Sequence, residues 1–228
     1  MSSAPISRRA RPAKAPLSRE VIVATGLQIL DRDGLDALTM RRVAQELDTG
    51  PASLYVYVNN RDDLMAAMLD TALGHVTLPD KGAWQERLHA LATATIEAMS
   101  RHEGLALVAL GGIPTGLNAL RILDRMLALL KEGGLDDTTA AWAIDLIYLH
   151  ITAAAAEQSA YNAKQMTEAD HLADVDRHYA SLPADQYPMI TRMREPLLSS
   201  GDRDRWGLRV LLNGILNTPA VARPKVGQ

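Results

Sequence analysis

The sequence has no cysteine and no phenylalanine, and aromatic residues make up only 4% of its 228 residues. The absence of cysteine excludes disulfides, thiolate metal sites and cysteine nucleophiles, and it makes the cytoplasm the expected compartment. Because aromatic side chains are scarce, leucine, alanine and methionine must fill the core, and these residues favour helices over sheets. The composition therefore predicts an all-α protein.

Long apolar runs are also missing. The richest stretch, residues 140–156, contains Asp145 and His150, so no run reaches the length that a membrane-spanning helix needs. The basic residues near the N-terminus are not followed by an apolar segment, which argues against a secretory signal. Hydrophobic residues nevertheless make up 47% of the chain, enough to bury a sizeable core. We therefore expect a folded protein that does not associate with a membrane.

The net charge of −3 does not by itself indicate a nucleic-acid partner, but the charge is unevenly distributed. Residues 1–20 carry five basic groups and one acidic group, whereas residues 21–76 carry four basic and eight acidic groups. A basic segment rich in Ala, Pro and Ser is either a solvated, disordered leader or an arm that becomes ordered on DNA, and the two are compatible. Whether this arm contacts DNA stays open at this point.

Helical periodicity dominates after residue 17, with cap residues at the expected places. Ser18 and Thr39 are suited to cap helices, Gly34 to end the first one, and Pro51 to stand at the first position of a third. Pro79 marks a boundary between short and long segments. The expected helices lie near 18–33, 40–47, 51–57, 61–78, 83–102, 104–112, 115–132, 137–163, 167–181, 185–198 and 202–217.

The second and third short helices have the spacing of a helix-turn-helix unit, whose second helix reads the major groove. Ala44 is small enough for the two helices to cross closely, Gly50 suits the turn, and Leu54 is the expected buried anchor. The residues expected to face outward are Thr49, Ala52, Ser53, Tyr55 and Tyr57. Many helical hairpins share this spacing, so the pattern alone does not establish DNA binding.

Four motifs in order make the pattern specific: Gly34 with Leu38-Thr39, then MRRVA at 40–44, SLYVYV at 53–58 and NRDDL at 60–64. With these motifs, residues 17–69 resemble the N-terminal domain of the TetR family of bacterial transcriptional regulators, most closely its tetracycline repressor branch. The resemblance implies a basic arm at 1–17, a three-helix helix-turn-helix domain at 18–78, a helical ligand-binding and dimerisation domain at 79–220 and a tail at 221–228.

The resemblance also implies individual DNA contacts. Thr39 would bind a phosphate at a helix N-terminus, and Arg41 or Arg42 would lie along the DNA backbone. Arg61 stands where the family usually has a phosphate-binding lysine. The alternative for Tyr55 and Tyr57 is packing within the domain, and Thr39 can also be a plain helix cap. The complete expected set is Thr39, Arg41, Arg42, Thr49, Gly50, Pro51, Ala52, Ser53, Tyr55, Tyr57 and Arg61.

Residues 83–217 resemble the C-terminal domain of the same branch, best at 111–115, along the helix 118–133 and along a long helix ending near Glu157. The resemblance implies a cavity for a small organic effector, because apolar walls with a few polar groups suit such a molecule. Each of these residues could instead be an ordinary core residue. The expected lining is Leu91, Thr95, Met99, His102, Leu110, Asn118, Ile122, Trp142, Asp145 and Tyr148.

The family also forms homodimers through two C-terminal helices, here 137–163 and 202–217. The last helix carries more apolar surface than one helix face needs, and a four-helix interface between two chains would bury it. The alternative is that these side chains pack within one chain. The expected interface residues are Trp206, Leu208, Leu211, Leu212 and Ile215.

One departure from the tetracycline repressors bears on metal binding. A histidine before their Gly-Thr-Arg-Pro motif helps to bind the magnesium ion of the drug, and Ala109 stands at that position here. Gly112-Ile113 replaces the Thr-Arg pair. Because alanine cannot ligate a metal, we expect an effector that needs no magnesium, and neither a metal site nor a cofactor.

The sequence thus predicts a homodimeric repressor that is released from an inverted-repeat DNA operator by a small organic effector. One alternative is a regulator of the same fold that activates transcription or whose C-terminal domain binds a protein. Another is a small all-α enzyme. The enzyme is disfavoured because the sequence has no nucleophile–base motif, no Gly-rich phosphate loop and no HExxH motif.

Overall fold

The computed structural model describes residues 16–102, 104–110, 114–164, 166–199 and 203–220. These residues contain helices and no strands, so the predicted all-α class is confirmed. Most of the predicted basic arm and the predicted tail at 221–228 lie outside the described residues. The helices are α1 (Arg19–Asp33), α2 (Met40–Glu46), α3 (Pro51–Leu54), α4 (Arg61–Leu73), α5 (Trp84–Ser100), α6 (Leu105–Leu110), α7 (Leu117–Glu132), α8 (Asp137–Ala163), α9 (Glu168–Ala180), α10 (Pro188–Leu198) and α11 (Arg203–Asn217).

The short N-terminal helices begin at side-chain caps. The Ser18 hydroxyl accepts a hydrogen bond from the Val21 amide at 3.3 Å, and the Thr39 hydroxyl accepts one from the Arg42 amide at 3.1 Å. Gly34, with φ of 80°, ends α1. These caps satisfy amide groups that a helix start would otherwise leave unpaired, so the caps predicted from the sequence are confirmed.

Two of these helices are shorter than predicted. After Leu54 the chain tightens, because the Tyr57 amide donates to the Leu54 carbonyl at 2.9 Å, and α3 therefore ends three residues early. Helix α4 ends at Leu73 instead of near residue 78. The carbonyls of Val76 and Pro79, in the linker to α5, accept hydrogen bonds from arginines of α7 and are thereby held outside the helix.

Helices α1 to α3 form a small head around a tightly packed core. Leu54 is fully buried and Ala44 almost so, as expected for the anchor and for the close crossing. Helix α4 packs on α1 of the head and also on α5, α6 and α7. It therefore belongs to both parts of the molecule.

Helices α5 to α11 form the body. Helix α8 packs against α5, α6, α7 and α11, and its length and mean hydropathy of 1.3 would suffice for a membrane span, although 44% of that window is buried in the molecule. A central core helix has the same features, and we read α8 as one. Helices α9 and α10 pack on each other and contain no buried residue.

Candidate DNA interface and effector cavity

The start of α3 and the turn after it form an exposed surface around the buried Leu54. Pro51, Ala52, Ser53 and Tyr55 are exposed, as predicted, and Tyr57 is half-buried against the core. Thr49 is also half-buried, and Gly50 is exposed. In a helix-turn-helix unit, the exposed start of the second helix is the part that reads the major groove.

Val56 also belongs to this surface, although it was missed in the sequence. Its side chain is 79% exposed, more than that of Tyr55. The signal was present, because buried residues at Leu54 and Val58 leave the residue between them on the outer side. An exposed apolar side chain here is suited to contact a thymine methyl group.

The two arginines of α2 differ in their surroundings. Arg42 lies 3.3 Å from Asp33 and 3.4 Å from Glu46, which also pair with Arg32. Hydrogen bonds from Arg32 lower the pKa values of both carboxyl groups and keep them ionised. Because this network occupies Arg42, the geometry favours the other arginine for a phosphate contact.

Arg41 is exposed and makes no hydrogen bond or ion pair within the described part of the chain. The N-terminus of α2 lies beside it, where the exposed Thr39 caps the helix. A cation next to a helix N-terminus suits a phosphate group. Capping and phosphate contact by Thr39 are compatible, as expected.

The phosphate contact predicted for Arg61 stays a prediction, and the structure gives its guanidinium a role within the head. Its Nε donates to the carbonyl oxygen of Leu38 at 2.8 Å and its Nη2 to that of Leu35 at 3.1 Å. The guanidinium is therefore turned towards the 3-10 turn at Leu35–Ala37, just before Thr39. Its fork of donors holds the segment that positions α2, a role that the sequence could not show because it depends on carbonyls more than 20 residues away.

A second arginine, also missed in the sequence, supports the recognition surface. Arg19 donates from Nη1 to the Tyr57 carbonyl at 2.7 Å and from Nη2 to Asp63 at 2.7 Å. The other carboxylate oxygen of Asp63 accepts from the Asn59 amide at 2.9 Å. The hydrogen bond from Arg19, helped by Asn59, holds the pKa of Asp63 below its usual value. The end of the recognition turn is thereby fixed to α1 and α4.

The body contains an apolar cavity of about 10 Å³, room for roughly one water molecule. Of the predicted lining, Thr95, Met99, Ile122 and Tyr148 contribute to it. Met126, expected with Met99 to add adaptable surface to the cavity, lines it as well. The remaining lining residues were not predicted: Leu73, Pro114, Ala119, Leu123 and Ile151. Their assignment needs the packing of α4 and α7 on the body, which periodicity within one helix does not give.

A larger cleft of about 500 Å³ adjoins this cavity, and Pro114, Ala119 and Tyr148 line both. Residues of α4 and α6 form its other walls. Burial raises the pKa of Tyr148, and its hydroxyl has no hydrogen-bond partner among the described residues. A phenol of this kind can orient a polar group of a bound molecule.

Six predicted lining residues lie elsewhere. Leu91 is fully buried in the core, and Leu110 is exposed. The Nδ1 of His102 lies 2.5 Å from Asp31 of α1, and Asn118 bonds to Asp70 of α4. The remaining two residues, on α8, are exposed and line neither space: Trp142 and Asp145.

The way α8 packs explains why Trp142 and Asp145 do not line the cavity as predicted. Its buried residues include Ala140, Ile144, Ile147 and Ile151, a helical spacing that leaves the opposite side to solvent. That outer side carries an exposed apolar stripe: Trp142, Leu146 and Leu149.

The dimer residues predicted on α11 divide into two groups. Leu208, Leu212 and Ile215 are buried in the same chain, where α11 packs on α8, so they are corrected to core residues. Trp206 is 61% exposed and Leu211 half-buried. Together with the exposed Val210, Trp206 gives α11 an outer apolar side one helical turn long.

No group of three His, Asp or Glu side chains in the described ranges is close enough to hold a metal ion. Ala109, at the position where a ligating histidine was considered, is buried and lines the cleft. Gly112 and Ile113, the other positions behind the expectation of a magnesium-free effector, lie outside the described residues. That expectation stays a prediction.

Two family models match the chain. Residues 22–68 match bacterial regulatory proteins of the tetR family, and residues 77–218 match the tetracyclin repressor-like C-terminal domain. The chain belongs to the TetR family. This TetR-family protein is a DNA-binding transcriptional regulator and not an enzyme, as predicted. The boundary between residues 78 and 79 stays a prediction.

The sequence and the fold are similar to those of known regulators over most of the chain. The transcriptional repressor DrrR1 of Streptomyces coeruleorubidus is 31% identical over 217 residues, which cover 90% of this chain and 80% of DrrR1. The class D tetracycline repressor of Escherichia coli is 28% identical, with 88% of this chain and 89% of the repressor covered. ActR of Streptomyces coelicolor, solved in complex with actinorhodin, has 38% identity and a TM-score of 0.76, with 89% and 96% covered.

Proposed function

We propose that this TetR-family regulator is a homodimeric repressor that leaves an inverted-repeat operator when a small organic effector binds in its body. The observation that carries this proposal is the cleft beside α4. Helix α4 lines this cleft and also packs on the head. A ligand in the cleft would therefore act directly on the helix that orients the DNA-reading surface.

For DNA contact, the proposed set comprises the exposed recognition surface and the start of α2. Thr39 and Arg41 would bind phosphates, and Ser53, Tyr55 and Val56 would lie in the major groove. Arg61 and Arg19 would position this set without touching DNA. An operator inside the cell is the target, in line with the cytoplasmic compartment expected from the absence of cysteine.

The outer apolar sides of α8 and α11 support a homodimer. Trp142, Leu146 and Leu149 on α8 and Trp206 and Val210 on α11 are exposed large apolar side chains on two packed helices. Exposed large apolar side chains gathered on two packed helices are typical of an interface. Two chains related by a two-fold axis would form a four-helix contact and present two heads to two half-sites.

The effector is proposed to be a mostly apolar molecule with few polar groups, because the inner cavity has an apolar lining around Tyr148. Arg61, Asp62 and Asp70 add charged groups to the lining of the adjoining cleft. The inner cavity is smaller than any such molecule, so binding would use the adjoining cleft and separate α7 from its neighbours. ActR, a similar protein, has been solved with actinorhodin and with (S)-DNPA. These two compounds are therefore the first to test.

Release from the operator requires two states of the dimer. In one, the two heads are spaced to reach half-sites a helical turn apart on the DNA, and in the other the heads lie further apart. An effector acts only if it binds the second state more tightly. A hundredfold loss of operator affinity requires about 2.7 kcal/mol of coupling between the two sites.

Selection of bound sequences from random DNA tests the proposal. We expect inverted repeats whose half-sites are centred about one helical turn apart, because a symmetric dimer reads both strands alike. A reporter gene placed behind the selected sequence then separates repression from activation. Recovery of single, unrepeated sites would contradict the dimeric arrangement, and recovery of no preferred sequence would contradict the proposed function itself.

A further inference from the structure

We infer that Asp70 is a positioning residue that couples the effector cavity to the head, by capping α7 from α4. The inference rests on the proposed function and deepens it, because it assigns the transmission of the signal to one contact between two helices. We call this contact the Asp70 cap; it comprises Asp70, Gly116, Asn118 and Ala119.

The Asp70 cap consists of four hydrogen bonds. Oδ1 of Asp70 accepts from the backbone amides of Asn118 and Ala119, each at 2.9 Å. The Asn118 side-chain amide donates to the Asp70 backbone carbonyl at 3.0 Å and to its Oδ2 at 3.3 Å. Helix α7 has no side-chain cap of its own, since Gly116 occupies the cap position. The carboxylate of α4 therefore supplies both the acceptor and the negative charge that a helix N-terminus favours.

The glycine at the cap position makes this close approach feasible. A Cβ atom at Gly116 would lie 2.1 Å from Oδ1 of Asp70, much closer than their van der Waals radii allow, so the two atoms would clash. The backbone of Gly116 has φ of −71° and ψ of 148°, which any residue can adopt. Glycine is thus required here by the distance between α4 and α7 and not by backbone conformation.

The capped helix also forms the wall of the effector cavity. Ala119, Ile122 and Met126 of α7 line the cavity. On another side of α7, Arg121 and Arg125 donate to the carbonyls of the linker after α4, each at 2.9 Å. A molecule that enlarges the cavity must displace α7, and the cap lies at the end of α7 that is held against α4.

The far end of α4 holds the head. Asp70 is nine residues from Arg61, roughly 13 Å along a rigid helix. Arg61 bonds to the carbonyls of Leu35 and Leu38, next to the N-terminus of α2. A displacement at the cap therefore reaches the segment that positions the proposed phosphate contacts. Because one arrangement of α4 makes both the cap and the Arg61 bonds that position α2, we assign the cap to the DNA-binding state.

The first test is Asp70→Ala in the full chain, with operator affinity as the readout. We expect operator binding about tenfold weaker, the size that losing one helix cap produces when it shifts a single conformational equilibrium. The matched control is Asp136→Ala, which removes the carboxylate cap of α8, where Asp136 accepts from the Thr139 amide at 3.0 Å within the body. The control should lose similar thermal stability but keep wild-type operator affinity.

Gly116→Ala is an independent variant, because it separates the same helices by steric contact and leaves the carboxylate in place. It should show the same loss of operator affinity as Asp70→Ala. Circular dichroism and sedimentation confirm that each variant is folded and has the wild-type oligomeric state.

A distance measurement separates positioning from general destabilisation. The chain has no cysteine, so Gln45→Cys on the exposed side of α2 gives one spin-label site per protomer. In the dimer without DNA, Asp70→Ala and Gly116→Ala should broaden or lengthen the distance between labels, and Asp136→Ala should not. If wild type binds its operator and both cap variants bind it equally well with unchanged distances, the inference is wrong while the proposed function stands. If wild type selects no operator, both fail.

Discussion

At the scale of single residues, arginine has two distinct roles in this protein. Arg41 is exposed and unpaired within the described residues, as a phosphate-binding side chain must be before DNA arrives. Arg19 and Arg61 instead direct their guanidinium groups to backbone carbonyls and hold the head together. Sequence alone does not distinguish these roles, because each depends on which carbonyls the fold brings near.

We therefore expect Arg41→Ala and Arg61→Ala to differ in salt dependence. Arg41→Ala should lower the slope of log affinity against log salt concentration by about one per half-site, because one phosphate contact is lost. Arg61→Ala should leave the slope unchanged and lower the free energy of unfolding by about 1–3 kcal/mol, because two partly buried carbonyls lose their donor. Binding titrations at several salt concentrations and thermal unfolding give both quantities. A reduced slope for Arg61→Ala would instead support the phosphate contact predicted for Arg61 from the sequence.

At the scale of helices, much of the structure follows from local signals. Ser18, Thr39 and Pro51 marked helix starts correctly because capping and proline geometry act within one turn. The residues that line the cavity were only partly predicted. Periodicity shows that α8 has two sides but not which of them meets a partner helix, so Trp142 was assigned inward. Leu212 was assigned outward for the same reason.

Helix α11 gives a direct test of these two sides. Val210→Arg should leave a folded chain that no longer dimerises, because Val210 is exposed in the single chain and its charge is costly only against a partner. Leu212→Arg should instead lower the thermal stability of the chain itself, because Leu212 is buried against α8. Sedimentation and thermal unfolding separate the two. A Val210→Arg variant that stays dimeric would place the interface elsewhere.

At the scale of the whole molecule, regulation requires coupling between the DNA-reading surface and the effector cleft, which lie in different parts of the chain. The recognition surface lies on the head, and the cleft lies between α4 and the body. The inner cavity, with room for about one water molecule, is too small for an organic effector unless its walls move apart. Effector binding would then open the body and reorient the head, with α4 moving as the shared element.

Release of the protein from its operator by an effector should not depend on magnesium, because Ala109 lines the cleft where a metal-binding histidine would be needed. Operator release by actinorhodin or (S)-DNPA, measured with and without a chelator, tests this expectation. Equal release in both conditions is the expected result. Release that disappears with the chelator would show that a metal takes part and that the argument from Ala109 is wrong.

The contact between Asp70 and α7 also limits how this protein can be recombined with its relatives. In a chimera that takes the head and α4 from one regulator and the body from another, the cap forms only under two conditions. The first parent must have an acceptor at the position of Asp70, and the second must have a glycine at the position of Gly116. With Asp70 but a larger residue at the position of Gly116, the two halves would fold and still respond poorly to each other. New pairings of operator and effector should therefore arise more readily when these two positions are exchanged together.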